Sequence, residues 1–377
     1  MSDFKMVING REIVFQPGQT ILEAAADNGL SIPTLCYLKG TTPQARCGIC
    51  VVEIEGRNEL KTACDTPCEA GMTVHTESPK VVADRRKTLA RMVASGNHNC
   101  ALPSAGAADW TALQLTAGQY EQTDDLCPAW GDCKLQDLLY RYQVTRPAPA
   151  DDRPPIPMET VNPLILRDFS RCILCGRCVS ACNEVQVNRA IRIGEENGRE
   201  KIVTRHNTPL SGSGECVFCG ECIQACPVGA LVEKKALHHW RPWEVEKIRT
   251  TCPYCGVGCQ QILHVKNDRI VKVTGAEDGL PNRGRLCVKG RFGYDFIYSE
   301  ERLKTPLIRQ GDTFREASWD EALDLVAEKF SAIIRDYGPD AIAGVSCARS
   351  INEDSYQMQK LFRSVFKTNN IDHCART

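Results

Sequence analysis

The sequence predicts a multidomain α+β chain, and three observations carry that expectation. Nineteen of its 22 cysteines fall into five successive runs. Residues 4 to 16 alternate apolar and polar around Asn9 and Gly10, the pattern of a half-buried hairpin. From Ser318 onward, helix and strand signals alternate, as they do where an α/β domain begins. At 377 residues, 42% hydrophobic and 25% charged, the chain has room for roughly two to four ordinary globular domains.

Cysteine occupies about 6% of positions and clusters as CxxC, which favours metal ligation in a reducing compartment over a disulfide framework. A formal charge of -1 with interspersed signs offers no basic stripe for nucleic acid and no polybasic membrane anchor. Met1 to Met6 shows no secretion signal, and no window approaches eighteen apolar residues. The expectation is a cytoplasmic protein without a transmembrane segment, whose partners are other redox proteins.

The hairpin around Asn9 and Gly10 is followed by a helix that begins at the capping box Thr20 to Glu23, in a segment that Pro33 ends. Cys36, Cys47, Cys50 and Cys64 come next, with ten, two and thirteen residues between them. Three ligands in one loop and a fourth further on suit a two-iron cluster held against a small sheet, here residues 48–55 and 72–75. Zinc is the competing occupant, although zinc sites favour two CxxC pairs. Plant-type ferredoxins space the first two cysteines more closely. The run instead resembles the amino-terminal 2Fe-2S domain of the large complex I subunit and its relatives, which implies a β-grasp ferredoxin fold over residues 1–79. Cys68 lies outside the pattern and reads as a small buried hydrophobe.

Residues 80–95 read as a helix with Val81, Val82, Leu89, Met92 and Val93 apolar among basic residues. It leads to His98 and Cys100, then to Cys127 and Cys133 ahead of a second helical stretch ending near Tyr142. This part, residues 80–145, resembles the His-Cys-Cys-Cys 4Fe-4S segment shared by complex I, iron hydrogenases and NAD-linked formate dehydrogenases. It departs from that pattern in spacing: one residue separates His98 from Cys100, and 26 separate Cys100 from Cys127. Loop closure cost grows only logarithmically with length, so an insertion of this size leaves ligation by His98, Cys100, Cys127 and Cys133 feasible. The competing reading is a histidine beside a lost or remodelled cluster.

Residues 146–163 hold six prolines and read as an extended linker. Beyond it, over residues 164–240, Cys172, Cys175, Cys178 and Cys182 are repeated in register by Cys216, Cys219, Cys222 and Cys226, the last followed by Pro227. This is the bacterial two-cluster ferredoxin signature, in which the first three cysteines of one run share a cluster with the fourth of the other. The resemblance therefore pairs Cys172, Cys175 and Cys178 with Cys226, and Cys216, Cys219 and Cys222 with Cys182. Asn183 stands where a proline is usual. Residues 190–205, around Asn197 and Gly198, read as an inserted hairpin.

The fifth run is Cys252, Cys255, Cys259 and, after 27 residues, Cys287. Gln261 to Val273 alternate as two short strands around Asn267 and Asp268, and Gly256 and Gly258 are expected to let backbone amides approach cluster sulfurs. The segment, residues 248–305, resembles the small β-rich 4Fe-4S domain of molybdenum and tungsten bis-pterin oxidoreductases, most closely formate dehydrogenases. Lys289 matches the lysine that lies between cluster and pterin in that family, where it would serve as an electron relay and contact the cofactor; a solvated surface lysine is the plain alternative.

Residues 306–377 read as the beginning of a molybdopterin-binding α/β domain. Ser318 to Glu321 forms a capping box; Ala322, Leu325, Val326, Ala332 and Ile333 mark one helical face; Asp340 to Ser346 read as a buried strand; Asn352 to Phe366 read as a helix with Met358, Leu361, Phe362 and Val365 inward. The stretch Asn369 to Thr377 resembles the formate dehydrogenase segment that runs into a selenocysteine or cysteine metal ligand, and the expectation is that the chain stops one residue before it, as a reading frame interrupted at UGA would.

Taken together, the resemblance implies a formate dehydrogenase catalytic subunit. Formate would be oxidised to carbon dioxide, or the reverse, at a molybdenum or tungsten bis-molybdopterin guanine dinucleotide of the full-length protein. Electrons would pass through four 4Fe-4S clusters and one 2Fe-2S cluster to flavin- and NAD-binding subunits or to ferredoxin. They would leave in the order Cys252 cluster, two ferredoxin-like clusters, His98 cluster, 2Fe-2S cluster. The alternatives are a non-catalytic electron-transfer subunit or fragment, or a relative of the large complex I subunit. An iron hydrogenase would not carry the fifth run, and nitrate reductases usually lack the first three modules.

Overall fold

The computed structural model describes residues 4–94, 96, 98, 127–145 and 156–373, arranged as two compact units, residues 1–245 and 246–377. The multidomain α+β architecture expected from the sequence is present.

In the first unit, β1 (Lys5–Ile8) and β2 (Arg11–Val14) pair as an antiparallel hairpin. Asn9 and Gly10 both take positive φ, 50° and 79°, the requirement of a type I′ turn. Helix α1 (Ile21–Asp27) starts with the full capping box: the Thr20 hydroxyl accepts from the Glu23 amide and the Glu23 carboxylate accepts from the Thr20 amide. It stops at Asn28 and Gly29, before Pro33. Strands β3 (Val51–Ile54), β4 (Lys61–Thr62) and β5 (Thr73–His75) complete a five-stranded sheet in the order β2-β1-β5-β3-β4, with β1 and β5 parallel. Ile21, Leu22, Ala24 and Ala25 of α1 pack on Met6, Ile8, Val52 and Val74 of the sheet, the β-grasp arrangement. Cys50 and Cys64 belong to this core, and Cys68 is half-buried against it.

Helix α2 (Pro79–Ala94) buries Val81, Leu89 and Val93 as its apolar spacing predicts, but also the charged Arg85. Lys134–Tyr142 is a second helix, burying Leu135, Leu138, Leu139 and Tyr142. A core runs through α2, this helix and the following module. It holds Leu35, Ile49, Leu89, Trp130, Leu139 and Val228 together with Cys36, Cys47, Cys127, Cys133 and Cys175.

The module after the linker is framed by β6 (Ile165–Arg167) and β9 (Leu231–Glu233), which pair antiparallel. Between them, β7 (Ile191–Glu196) and β8 (Arg199–Thr204) form the inserted hairpin, turning at Asn197 and Gly198 with φ of 52° and 72°.

In the second unit, β10 (Glu246–Thr251), β11 (Gln260–Lys266) and β12 (Arg269–Gly275) form an antiparallel meander. Asn267 and Asp268 make its expected turn, with φ of 50° and 58°. A hairpin, β13 (Leu307–Gln310) and β14 (Thr313–Glu316), precedes the long helix Trp319–Tyr337. Strands β15 (Gly344–Ser346) and β16 (Ile371–His373) are parallel, joined through the helix Asn352–Lys360 in a β-α-β crossover that opens an α/β domain.

Three local expectations are corrected by the fold. Ser318 caps the long helix by accepting from the Glu321 amide, but the Glu321 carboxylate is taken by Arg315, so only half of the capping box forms. The strand expected from Asp340 begins only at Gly344, because Pro339–Ala341 coil into a single 3-10 turn; Val345, expected buried, is 75% exposed. Beyond Lys360 the helix widens into a π turn, Leu361–Phe366, which re-phases the inward face: Phe362 is buried while Val365 is 64% exposed.

His264 on β11 is 5% exposed, and its Nε2 lies 3.0 Å from the Thr274 hydroxyl. Burial, with Lys272 and Lys247 nearby, lowers its pKa to about 3. Its value in an unfolded chain is about 6.5, so above that pH both states are neutral and the residue contributes nothing to pH dependence. Below it the unfolded chain takes up a proton that the fold excludes, and stability falls by up to about 1.4 kcal/mol per pH unit. Hydrogen-exchange protection of the β11 and β12 amides, corrected for intrinsic rates, should therefore weaken from pH 6.5 to 5. His264→Gln should flatten that slope; an unchanged slope would assign it to other groups.

Candidate functional site

Sulfur buried as thiol is compatible with an apolar core, whereas thiolate is not unless a cation neutralises it. The candidate sites follow from which buried thiols the fold brings together.

In the first, the loop from Leu35 to Cys50 bends back through positive φ at Ala45 and Gly48. Its cysteines form two couples. The Cys36 thiol is hydrogen-bonded to Cys47, and the Cys64 thiol to Cys50. Those bonds, with burial, hold the Cys36 and Cys64 thiols far above the ordinary value, while Cys47 is lowered to about 7 and Cys50 is lowered as acceptors. Amides of Leu35 and Ile49 also point at the Cys47 sulfur, and that of Cys64 at the Cys50 sulfur, while the Ala63 amide donates to the Cys50 carbonyl at 2.9 Å. Two thiol couples fit two irons.

Arg85 braces this loop from below. It is wholly buried, and its guanidinium donates to the Ile49 and Val51 carbonyls, at 2.8 Å each, on either side of Cys50. It also donates to Glu77 at 2.8 Å and to the Tyr142 hydroxyl at 2.7 Å, joining the loop to the end of the helix that follows Cys133. Sequence patterning gave no sign of it, since an arginine among basic helix residues reads as solvated.

Residues 37–46 dock on the ferredoxin module. The Thr42 amide donates to Glu184 at 2.7 Å and Gln44 to the Ser180 hydroxyl at 3.0 Å. Arg46 donates to the Leu174 carbonyl at 3.3 Å and to Glu200 on the inserted hairpin at 3.0 Å.

Of the second set, His98, Cys127 and Cys133 are all buried, while Cys100 lies outside the described residues. Cys133 caps the helix Lys134–Tyr142, and the Lys134 amide donates 2.9 Å to the carbonyl of Pro227, the neighbour of Cys226. The Arg241 guanidinium donates to the Cys127 carbonyl at 2.8 Å. Gly96 packs so closely on the Ser170 carbonyl that a Cβ would sit 2.2 Å from it, which holds the chain before His98 against the ferredoxin module.

The two repeats of the ferredoxin module share a backbone path. Leu174 and Phe218 have φ of 53° and 54°, and Gly176 and Gly220 have φ of 79° and 72°, each just before a short helix carrying the third cysteine. Positive φ at leucine and phenylalanine is strained and turns the thiols inward. The last cysteine of each run lies within electrostatic reach of the other run, and Cys222 also acts on Cys178, so the two sets adjoin. Cys226 acts electrostatically on Cys172, Cys175 and Cys178, and Cys182 acts on Cys216 and Cys222. Burial holds Cys172 up at about 11 and Cys175 at about 12, with Cys178 and Cys222 raised further, so the metal-free thiols stay neutral. An apolar cavity is lined by Cys172, Cys175, Cys178, Cys226 and, from the other group, Cys222. The donor set, four soft thiols converging on an apolar space, suits iron-sulfur clusters.

In the second unit, Cys252, Cys255, Cys259 and Cys287 interact with one another; Cys252 and Cys259 are raised by burial and by these neighbours. The Cys252 amide donates to the Cys259 carbonyl at 2.8 Å, closing the loop, and Cys287 caps the helix Val288–Phe292. A Cβ on Gly290 would meet the Cys252 sulfur at 3.4 Å. Gly258 turns with φ of 70°, but Gly256 serves a different need from the one expected. A Cβ there would lie 2.8 Å from Asn352 Oδ1, and the Asn352 amide group donates to the Gly256 carbonyl at 2.8 Å. The glycine admits the α/β segment. Lys289 is exposed, with its ammonium 5.9 Å above the Tyr254 ring. At the carboxyl ends of β15 and β16 an open cavity of about 510 Å³ is lined by the polar groups Ser346, Ser355, Gln359, Arg363, Asp372 and His373, at the place where α/β folds bind ligands. Cys374 to Thr377 lie outside the described residues.

Known proteins match segment by segment. Residues 3–79 match the 2Fe-2S iron-sulfur cluster binding domain, 171–230 the 4Fe-4S dicluster domain, 245–299 the molybdopterin oxidoreductase Fe4S4 domain, and 302–377 molybdopterin oxidoreductase. The alpha subunit of an NADPH-Fe(3+) oxidoreductase from Geobacter sulfurreducens is 36% identical over 371 residues, 98% of this chain and 40% of that protein. A subunit of an NADH-quinone oxidoreductase from Rhizobium meliloti is 34% identical, across 99% of this chain and 40% of its own length. A putative formate dehydrogenase of Staphylococcus aureus is 31% identical, across 98% and 39%. The chain thus spans about two fifths of the relatives it matches. Among solved structures, a chain of an NAD+-reducing NiFe-hydrogenase in the H2-reduced state superposes with a TM-score of 0.50 at 30% identity, covering 64% of this chain and 91% of that one.

The crossed grouping makes a sharp prediction. Cys226→Ser should disturb the same EPR component as Cys172→Ser, and Cys182→Ser the same one as Cys216→Ser. A Cys226→Ser spectrum matching that of Cys216→Ser would break the assignment.

Proposed function

We propose that this chain, which belongs to the alpha subunits of the molybdopterin oxidoreductases that carry iron-sulfur domains, is the electron-transfer portion of a formate dehydrogenase. The observation that carries the reading is the order of the modules: four groups of thiols, then a fifth leading straight into the molybdopterin fold. In the net reaction, formate gives carbon dioxide, one proton and two electrons. A molybdenum or tungsten bis-pterin centre, when bound, supplies the two-electron chemistry.

The chain's own residues supply the remainder. Cys252, Cys255, Cys259 and Cys287 hold the cluster nearest the pterin, with Lys289 offsetting charge between them. Arg363, Ser346 and Ser355 bind the anionic part of the cofactor. Cys172, Cys175, Cys178 and Cys226, with Cys216, Cys219, Cys222 and Cys182, would hold two 4Fe-4S clusters, which supply one-electron storage when bound. The docking of residues 37–46 on Leu174, Ser180 and Glu200 supports direct hand-over from this module to the cluster of Cys36, Cys47, Cys50 and Cys64. His98, Cys100, Cys127 and Cys133 would hold the remaining 4Fe-4S cluster, and the Lys134 amide bond to the Pro227 carbonyl ties the helix after Cys133 to the ferredoxin module. Electrons leave to flavin- and NAD-binding subunits or to ferredoxin, in the cytoplasm. Among the described residues no helix is long and apolar enough to cross a membrane.

A second reading, an NAD(P)H-linked electron-transfer module without formate chemistry, draws support from the relatives in Geobacter sulfurreducens and Rhizobium meliloti. The full-length protein, purified anaerobically, separates the two. Formate should reduce a viologen dye and bleach the cluster absorbance. Bleaching by NAD(P)H through a flavoprotein partner, with no response to formate, would decide for the second reading.

A further inference from the structure

We infer that Arg167 is a positioning residue that holds the reduction potentials of both clusters of the ferredoxin module up together. The inference rests on the cluster assignment proposed above. Arg167 ends β6 and is 3% exposed. Its guanidinium donates to the Ile202 carbonyl of the inserted hairpin, lies 3.4 Å from the Glu159 carboxylate, and sits over the Phe169 ring at 4.7 Å. Its main chain exchanges two hydrogen bonds with Glu159, at 2.9 and 3.1 Å. The side chain is therefore fixed from several directions.

Arg167 borders thiols of both groups. Arg167 lines the cavity that Cys172, Cys175, Cys178 and Cys226 share with Cys222 of the other group. Its charge favours the thiolates of Cys172, on one side, and of Cys216 and Cys222, on the other. Arginine stays charged in proteins, so this is a permanent cation in a weakly screening interior. A cluster gains one negative charge when reduced, and a nearby cation stabilises that form and raises the potential. One charge acting on both groups shifts them in parallel, which keeps transfer between them close to isoenergetic. Glu159, 14% exposed at its side chain, partly offsets the cation and acts in the opposite sense. No local sequence pattern marks the role: Arg167 precedes its first cysteine by five residues and reads as an ordinary strand terminus.

The test is an equilibrium redox titration of the full chain, followed by low-temperature EPR with iron content measured on the same samples. Arg167→Met should shift both ferredoxin-type clusters about tenfold toward the oxidised form, about 59 mV for a one-electron couple. Arg167→Lys, which keeps the charge, should recover most of that shift, and Glu159→Gln should move both clusters upward. If only one cluster moves, or neither does while iron is retained, the inference is overturned. Should Arg167→Met lose iron, Glu159→Gln decides: a joint upward shift supports the inference and unmoved potentials overturn it. Absence of the two signals from the unaltered protein would instead remove the cluster assignment itself.

Discussion

The constraint on which everything else depends is the cost of charge in an apolar interior. Thiolate sulfur must be desolvated to sit where Cys36, Cys47, Cys127, Cys133 and Cys175 sit, and burial pushes thiols such as Cys172 and Cys175 toward their neutral form. Iron reverses that preference, since it neutralises the thiolates it binds and releases their protons. Folding and cluster binding are therefore coupled in the first unit: the core that surrounds the ligands is completed by what they hold.

That core is also what makes the modules one device. Ligands of three candidate clusters share it, and two sets of polar contacts lock its parts in register. Residues 37–46 reach from the 2Fe-2S loop to the ferredoxin module, and Arg85 ties the same loop to Tyr142. The ten residues between Cys36 and Cys47 include Thr42, Gln44 and Arg46, which make those contacts to the ferredoxin module. Buried arginines recur as braces in this unit: Arg85 bonds the Ile49 and Val51 carbonyls that flank Cys50, and Arg167 bonds the Ile202 carbonyl of β8. Breaking one partner of such a pair costs roughly 3–5 kcal/mol.

What could be read from the sequence was what is encoded locally. Asn9-Gly10, Asn197-Gly198 and Asn267-Asp268 specify their turns through backbone sterics alone, and the CxxC registers specify the thiol groups because a few residues set the distance between successive sulfurs. The capping box at Thr20 formed in full, whereas the one at Ser318 lost its glutamate to Arg315, a competitor that no four-residue motif contains. The π turn at Leu361–Phe366 shifted the buried face in the same way. Arg85, Arg167 and the contact between Gly256 and Asn352 were invisible for a common reason: each joins residues more than thirty positions apart. The crossed grouping of the ferredoxin cysteines is implied by family resemblance alone, since no local spacing says which fourth cysteine completes which set.

The central claim is that these thiols hold iron in two-iron and four-iron clusters. Mössbauer spectroscopy of the 57Fe-labelled chain, prepared without oxygen, measures this most directly. The account predicts a minority of iron in the ferric sites of an oxidised two-iron cluster and the majority in the mixed-valence sites of 4Fe-4S clusters. Zinc in place of iron, or iron present only as isolated tetrathiolate sites, would contradict it.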